Sequence, residues 1–142
     1  MIIKQDNLGF LVSDVARLLR RNFQQRLEGS LLTFAQARLL VHVSRCEGVR
    51  QIDLADFLEI QPITLARLID QLEGAGLVER RPDQTDRRAY KIYLSNAAEP
   101  HLLLIEDIAA ELRSDAFQGL DDQEAAIVTS ALQKIAGNLA SR

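Results

Sequence analysis

The sequence predicts a mainly α-helical, α+β fold, and three observations carry that prediction. Apolar residues recur at three- and four-residue steps along most of the chain. That period gives way once, between residues 77 and 95, to alternation of apolar with polar residues. Just before the change, two short helical stretches are separated only by the break EIQP. At 142 residues, 47% hydrophobic and 26% charged, the chain has the size and balance of one ordinary globular domain, read here as 1–142.

The elements follow in order. Leu8, Leu11, Val15, Leu18, Asn22, Phe23 and Leu27 form the stripe of a long amphipathic helix that ends near Gly29, with Arg17, Arg20, Arg21 and Arg26 mostly between them. Thr33 followed by Gln36 has the layout of a capping box, and LTFAQARLLVHVSRC continues from it as a second helix that stops by Gly48. QIDLADFL fits a third, short helix with Ile52, Leu54, Ala55 and Leu58 inward. After EIQP, the stretch ITLARLIDQLEGAG puts Ile63, Ala66, Ile69 and Leu72 at helical spacing and ends in glycines suited to a C-terminal cap. Two consecutive short helices with a tight connection make a helix-turn-helix.

LVERR and AYKIYLS then alternate as strands, with Leu77, Glu79, Tyr90, Ile92 and Leu94 on one side and Ala89, Lys91 and Tyr93 on the other. The turn formers PDQTDRR between them complete a two-stranded hairpin with a charged tip. Asn96 with Glu99 has the spacing of a second capping box, Pro100 falls in the first helical turn, and HLLLIEDIAAELRSDAF runs on as a helix. Asp121 with Glu124 opens the last helix, whose stripe is Ile127, Val128, Ala131, Leu132, Ile135 and Leu139.

Composition excludes several functional classes. The single cysteine, Cys46, forms no internal disulfide, and with only two histidines the chain has no spacing for a zinc site; no metal or other cofactor is expected. No nucleophile with a base, acid–base pair or metal cluster is recognisable, so the protein is not expected to be an enzyme. There is no membrane-length apolar run and no signal-peptide layout at MIIKQDNLGF, which points to the cytoplasm. The net charge of −3 hides an asymmetry: residues 1–98 carry 14 basic against 12 acidic side chains, and residues 99–142 carry 3 against 8. DNA binding needs only a local basic surface, so whole-chain acidity does not exclude it.

Such a surface exists at the hairpin, where residues 79–91 hold Arg80, Arg81, Arg87, Arg88 and Lys91. A helix-turn-helix followed at once by a hairpin is a winged helix, whose second helix enters the major groove while the wing tip reaches the neighbouring minor groove. Arginine suits that narrow groove because its planar, weakly hydrated guanidinium loses little on desolvation and meets a strongly negative potential. Asp86 is anomalous beside phosphates unless it hydrogen-bonds an arginine and fixes its direction.

The stretches IQPITLARLIDQLEGAGLVER (60–80), DQTDRRAYKIYLS (83–95) and AAEPHL (97–102) resemble the MarR family of bacterial transcription regulators, particularly its SlyA-like branch. The most specific feature is Asp86-Arg87-Arg88 with an aromatic-and-basic strand after it, and the six-helix layout extends the likeness over almost the whole chain. The resemblance implies a winged helix-turn-helix module over 33–95 and a helical dimerisation region formed by 1–30 and 97–142. It implies a homodimer, most simply a repressor of a palindromic operator. By periodicity alone the stripes on the flanking helices are core.

Residue roles follow from the same likeness. Arg88, and with it Arg87, matches the wing arginine that enters the minor groove, with Asp86 orienting it. Gln61, Pro62, Ile63, Thr64 and Arg67 match the start and first turns of the recognition helix. Arg67 suits either a guanine edge or a phosphate, and Ile63 or Pro62 a thymine methyl. Thr64 reads equally as a helix-start hydroxyl. Arg50 and Gln51, at the start of the third helix, are placed either to hold phosphates or as a plain solvated helix end.

The likeness further implies an effector, a small phenolic or other aromatic anion bound between the dimerisation helices and the winged-helix module. Arg17, Arg20 and Arg38 are the charged candidates for its lining; His42 reads first as a core or interface residue and second as a ligand contact. Cys46 departs from the family's peroxide-sensing pattern, which places the cysteine in the first helix, and reads first as inert packing, with a cysteine-based redox-sensing regulator as an alternative. The remaining alternative is a winged helix that binds protein instead of DNA, for which the wing arginines would be dispensable.

Overall fold

A computed structural model describes residues 7–141; residues 1–6 of the segment assigned to dimerisation, and residue 142, lie outside them. The chain is mainly helical with one small antiparallel sheet, in the order α1 (Leu8–Leu27), α2 (Phe34–Arg45), β1 (Val49–Arg50), α3 (Gln51–Leu58), α4 (Pro62–Gly74), β2 (Val78–Pro82), β3 (Tyr90–Leu94), a 3₁₀ turn (Asn96–Ala98), α5 (Glu99–Ala116) and α6 (Asp122–Ala140). This is a winged helix-turn-helix, and its backbone groups into two compact units, Met1–Ala109 and Ala110–Arg142. Among the described residues no helix is long and apolar enough to cross a membrane.

The first unit holds the core. Leu39, Leu40 and Val43 of α2 meet Leu54 and Leu58 of α3, Leu65, Ile69 and Leu72 of α4, and Ile92 of β3. Local signals set the helix ends. Thr33 Oγ1 accepts from Gln36 N–H at 3.2 Å while Gln36 Oε1 accepts from Thr33 N–H at 3.0 Å, so the expected capping box is formed at α2. Thr33→Ala, which removes half of that exchange, is expected to cost about 1 kcal/mol in urea denaturation without changing the folded spectrum.

The α3–α4 turn depends on Glu59, which ends α3 in the left-handed region at φ 55°. Arg38 Nη1 donates to the exposed-end carbonyl of Leu58 at 3.1 Å, supplying a donor where the helix has none of its own. Pro62 opens α4, where its missing N–H costs nothing. At the other end Gly76, at φ 76°, lets Leu77 N–H reach back to the Leu72 carbonyl at 2.9 Å and turns the chain directly into the hairpin.

The sheet differs from expectation in two respects. It has three strands, in the order β1-β3-β2, because Val49 and Arg50 pair with Ile92 and Lys91. A two-residue strand is too short to leave any periodicity in the sequence. The inward face of β2 also differs: Val78 pairs with Leu94 and Arg80 with Ile92, so Val78 and Arg80 face inward and Glu79 outward. The expected capping box at Asn96 is absent. Asn96 lies inside the 3₁₀ turn that leads into α5, and Ser95 precedes it, its hydroxyl donating to the Gly76 carbonyl.

α1 buries only Leu27 and leaves Leu8, Leu11, Val15 and Leu18 exposed, so its stripe is not core within one chain. In the second unit, Asp121 Oδ1 accepts from Glu124 N–H at 2.7 Å as expected for a capping box, and α6 has no buried residue along its length.

Candidate nucleic-acid interface

Three backbone segments converge on one face of the winged-helix module: the start of α3, the start of α4 and the wing tip. Arg50, Gln51, Pro62, Asp86 and Arg88 line a cleft of about 290 Å³ between them. Beside it the first turns of α4 are open to solvent, with Gln61, Pro62, Thr64 and Arg67 exposed and Ile63 65% exposed. An apolar side chain that far out at the head of a helix is available to a base methyl group and contributes nothing to the core.

Two short turns shape the wing tip. Asp83 Oδ1 accepts from the Thr85 N–H at 2.9 Å and its hydroxyl at 2.8 Å, and the Asp83 N–H closes the loop onto the Ala89 carbonyl at 3.0 Å. Asp86 Oδ1 accepts from the Arg88 N–H at 3.0 Å. Asp86 therefore orients Arg88 through its backbone, not by the guanidinium bond that the sequence suggests. An aspartate bonding two residues ahead is the most local way to fix a turn, and it leaves the arginine side chain uncommitted.

The basic residues divide into two groups. Arg50 Nε lies 2.8 Å from the buried Asp83 carboxylate, and its Nη2 donates to Thr85 Oγ1 at 3.3 Å, so it clamps the wing base to the start of α3. The Thr85 N–H and hydroxyl, and behind them Arg50 and Lys91, hold the Asp83 carboxyl below the usual carboxylate range, so the clamp stays charged further into acid than an ordinary aspartate would. Arg81 pairs with Glu79 and lies over the Tyr93 ring at 3.8 Å. Arg80 is bound to α3 and α4, and Gln51 Oε1 accepts from its Nε at 3.1 Å. By contrast Arg67, Arg87 and Arg88 are exposed, and their guanidinium groups have no partner among the described residues. Charge count alone does not separate these arginines; the structure engages Arg50, Arg80 and Arg81 internally.

The four residues suggested for an effector are not brought together as a charged lining. Arg17 pairs loosely with Asp14 at 3.9 Å and Arg20 is exposed on α1, while Arg38 caps α3. His42 packs edge-on against Phe57 with centroids 4.6 Å apart. Burial, then the Arg38 and Arg45 charges, push its imidazole below the usual histidine range, so it is neutral at pH 7. Cys46 is exposed at the end of α2, not packed as expected. Among the described residues, no three metal-ligating side chains converge.

Comparison with known proteins gives consistent findings. The model of the MarR family matches residues 32–90. The structure of the transcriptional regulator PA3341 is 34% identical, over 96% of this chain and all of that one, with a TM-score of 0.76. A MarR transcriptional regulator from Methanosarcina mazei Go1 is 27% identical over 94% of this chain and 96% of its own, with a TM-score of 0.84. A putative MarR family regulator from Listeria monocytogenes, solved with a 26mer DNA, shares the fold at 23% identity, 96% and 91% coverage and a TM-score of 0.80.

Proposed function

The chain belongs to the MarR family, and from that premise we propose that it is a sequence-specific, double-stranded DNA-binding repressor that reads a palindromic operator as a homodimer. Its fold is that of the family's transcriptional regulators. The observation that carries the reading is the set of exposed guanidiniums without a partner among the described residues, Arg67 in the second turn of α4 and Arg87 and Arg88 at the wing tip, where Arg88 shares a cleft with the start of α4. A recognition helix supplies base contacts from its first turns, and the wing supplies cations to the adjacent minor groove. Gln61, Pro62, Ile63 and Thr64 complete the major-groove set. Arg50, Gln51 and Asp86 act by holding the wing and Arg88 in place.

The dimer is supported by the unburied apolar stripes of α1 and α6. Dimeric reading heads engage a palindrome only when their recognition helices are separated by about 34–36 Å, one helical turn of DNA. Modulation by a small aromatic effector is the family's part of the proposal. It acts by changing that separation, and Arg17, Arg20, Arg38 and His42 give it no preformed charged lining. A protein-binding winged helix is the second reading, and it differs in leaving Arg87 and Arg88 dispensable for DNA affinity.

Selection from a random duplex library at near-physiological salt tests the proposal. An inverted repeat with half-sites one helical turn apart is expected. If Arg67, Arg87 and Arg88 each neutralise one phosphate in both subunits, the log–log salt dependence has a slope of roughly −5. A folded dimer that enriches no sequence overturns the DNA reading in favour of the protein-binding one.

A further inference from the structure

Arg80 lies at the centre of the hairpin, opposite Ile92, with only 17% of its side chain exposed. Its backbone N–H donates to Glu73 Oε2 at 3.0 Å. Its guanidinium spans two helices: Nη1 lies 2.7 Å from Asp70 and 3.1 Å from Glu73, Nη2 donates to the Ala66 carbonyl at 3.1 Å, and Nε donates to Gln51 at 3.1 Å. Strand β2, the reading helix α4 and the start of α3 thus meet at one side chain.

We propose that Arg80 is a positioning residue for sequence reading, setting the placement of α4 against the wing, and that it does not itself contact DNA. The proposal rests on the DNA-binding reading above. Asp70 and Glu73 stand one turn apart on α4 with like charges, and only a cation between them makes that approach favourable. The position requires arginine, because its donors lie in a fixed plane reaching Gln51 on one side and Asp70 on the other. A lysine ammonium is a single point and reaches one of these groups at a time. Arg67 and Thr64 project from the turn of α4 adjoining the Ala66 carbonyl, so a small rotation of the helix moves the reading side chains. Base contacts tolerate displacements of only about 0.5 Å, whereas phosphate attraction is insensitive to them.

Arg80→Lys preserves charge and removes the fork, which separates the roles. Affinity is measured for the selected duplex and for a scrambled duplex of equal length, over a salt series, on protein whose dimeric state and helix content are recorded. The expected result is about a tenfold loss on the selected duplex with the scrambled affinity and the salt slope unchanged. A phosphate-contacting Arg80 would let lysine substitute with little loss, and equal losses on both duplexes would mark a general structural defect; either overturns the proposal. In the free wild type, the Arg80 Nε–H is expected to exchange with water at least tenfold more slowly than those of Arg67, Arg87 and Arg88, and equal rates overturn the bracing without reference to DNA. If the wild type has no sequence preference, the DNA reading fails and this proposal with it. A selective wild type with an indifferent Arg80→Lys variant removes this proposal alone.

Discussion

Arg88→Ala is expected to weaken operator binding by about 1–3 kcal/mol per half-site, read by fluorescence anisotropy on the selected duplex at fixed salt. The size follows from what the side chain does in the free protein, where its guanidinium has no partner among the described residues and its removal leaves no buried group unsatisfied there. Asp86 holds only the Arg88 N–H, so the substitution keeps the Asx turn, the Asp83–Ala89 bond and the Arg50 clamp. Stability should change little, and the loss belongs to the complex. Arg81→Ala is the internal control. Its guanidinium is occupied by Glu79 and the Tyr93 ring, so the same loss of formal charge should have a much smaller effect on binding. Operator affinity unchanged in Arg88→Ala would remove the wing from the interface. Equal losses in the two variants would mean that charge near the wing matters and the placement of Arg88 does not.

That contrast also marks where sequence reading stops. Helix limits are legible because caps are local: Thr33 with Gln36 and Asp121 with Glu124 each satisfy their own neighbours, and three residues of sequence contain the information. The spacing of Asn96 with Glu99 is the same, but the preceding 3₁₀ turn, fixed by pairing of Ser95 with Gly76 and Leu77, takes Asn96 out of the cap position. The fate of each arginine is less local still. Whether Arg80 or Arg81 turns inward depends on the register of β2 with β3, since a one-residue shift exchanges the faces. The sequence does contain one signal, since Val78 anchors an inward face better than Glu79 does and that register puts Arg80 beneath Asp70 and Glu73 of the preceding helix. The exposure of the α1 and α6 stripes has no sequence signal, because periodicity marks a face as buried and is silent on whether the same chain buries it.

Leu11→Asp is expected to convert the proposed dimer into a folded monomer, seen by sedimentation velocity at micromolar concentration with helix content retained. Leu11 is 50% exposed in the single chain and shares its stripe with Leu8, Val15 and Leu18, so a charge there still reaches water and costs the isolated subunit far less than it costs the interface. In a two-fold interface the same substitution occurs twice. Each copy forfeits burial of the exposed half of the leucine, roughly 1 kcal/mol, and burying an unpaired carboxylate adds several kcal/mol more. A combined loss above about 5 kcal/mol raises the dimer dissociation constant by nearly four orders of magnitude. The consequence for DNA distinguishes this change from Arg88→Ala. The recognition helix and wing of each monomer remain intact, so binding to an isolated half-site should survive at wild-type strength. The gain from joining two half-sites, which comes from effective concentration and not from new contacts, should disappear. A Leu11→Asp protein that stays dimeric would show that the α1 stripe is not the surface that brings the reading heads together, and the spacing of half-sites would then have to be set elsewhere.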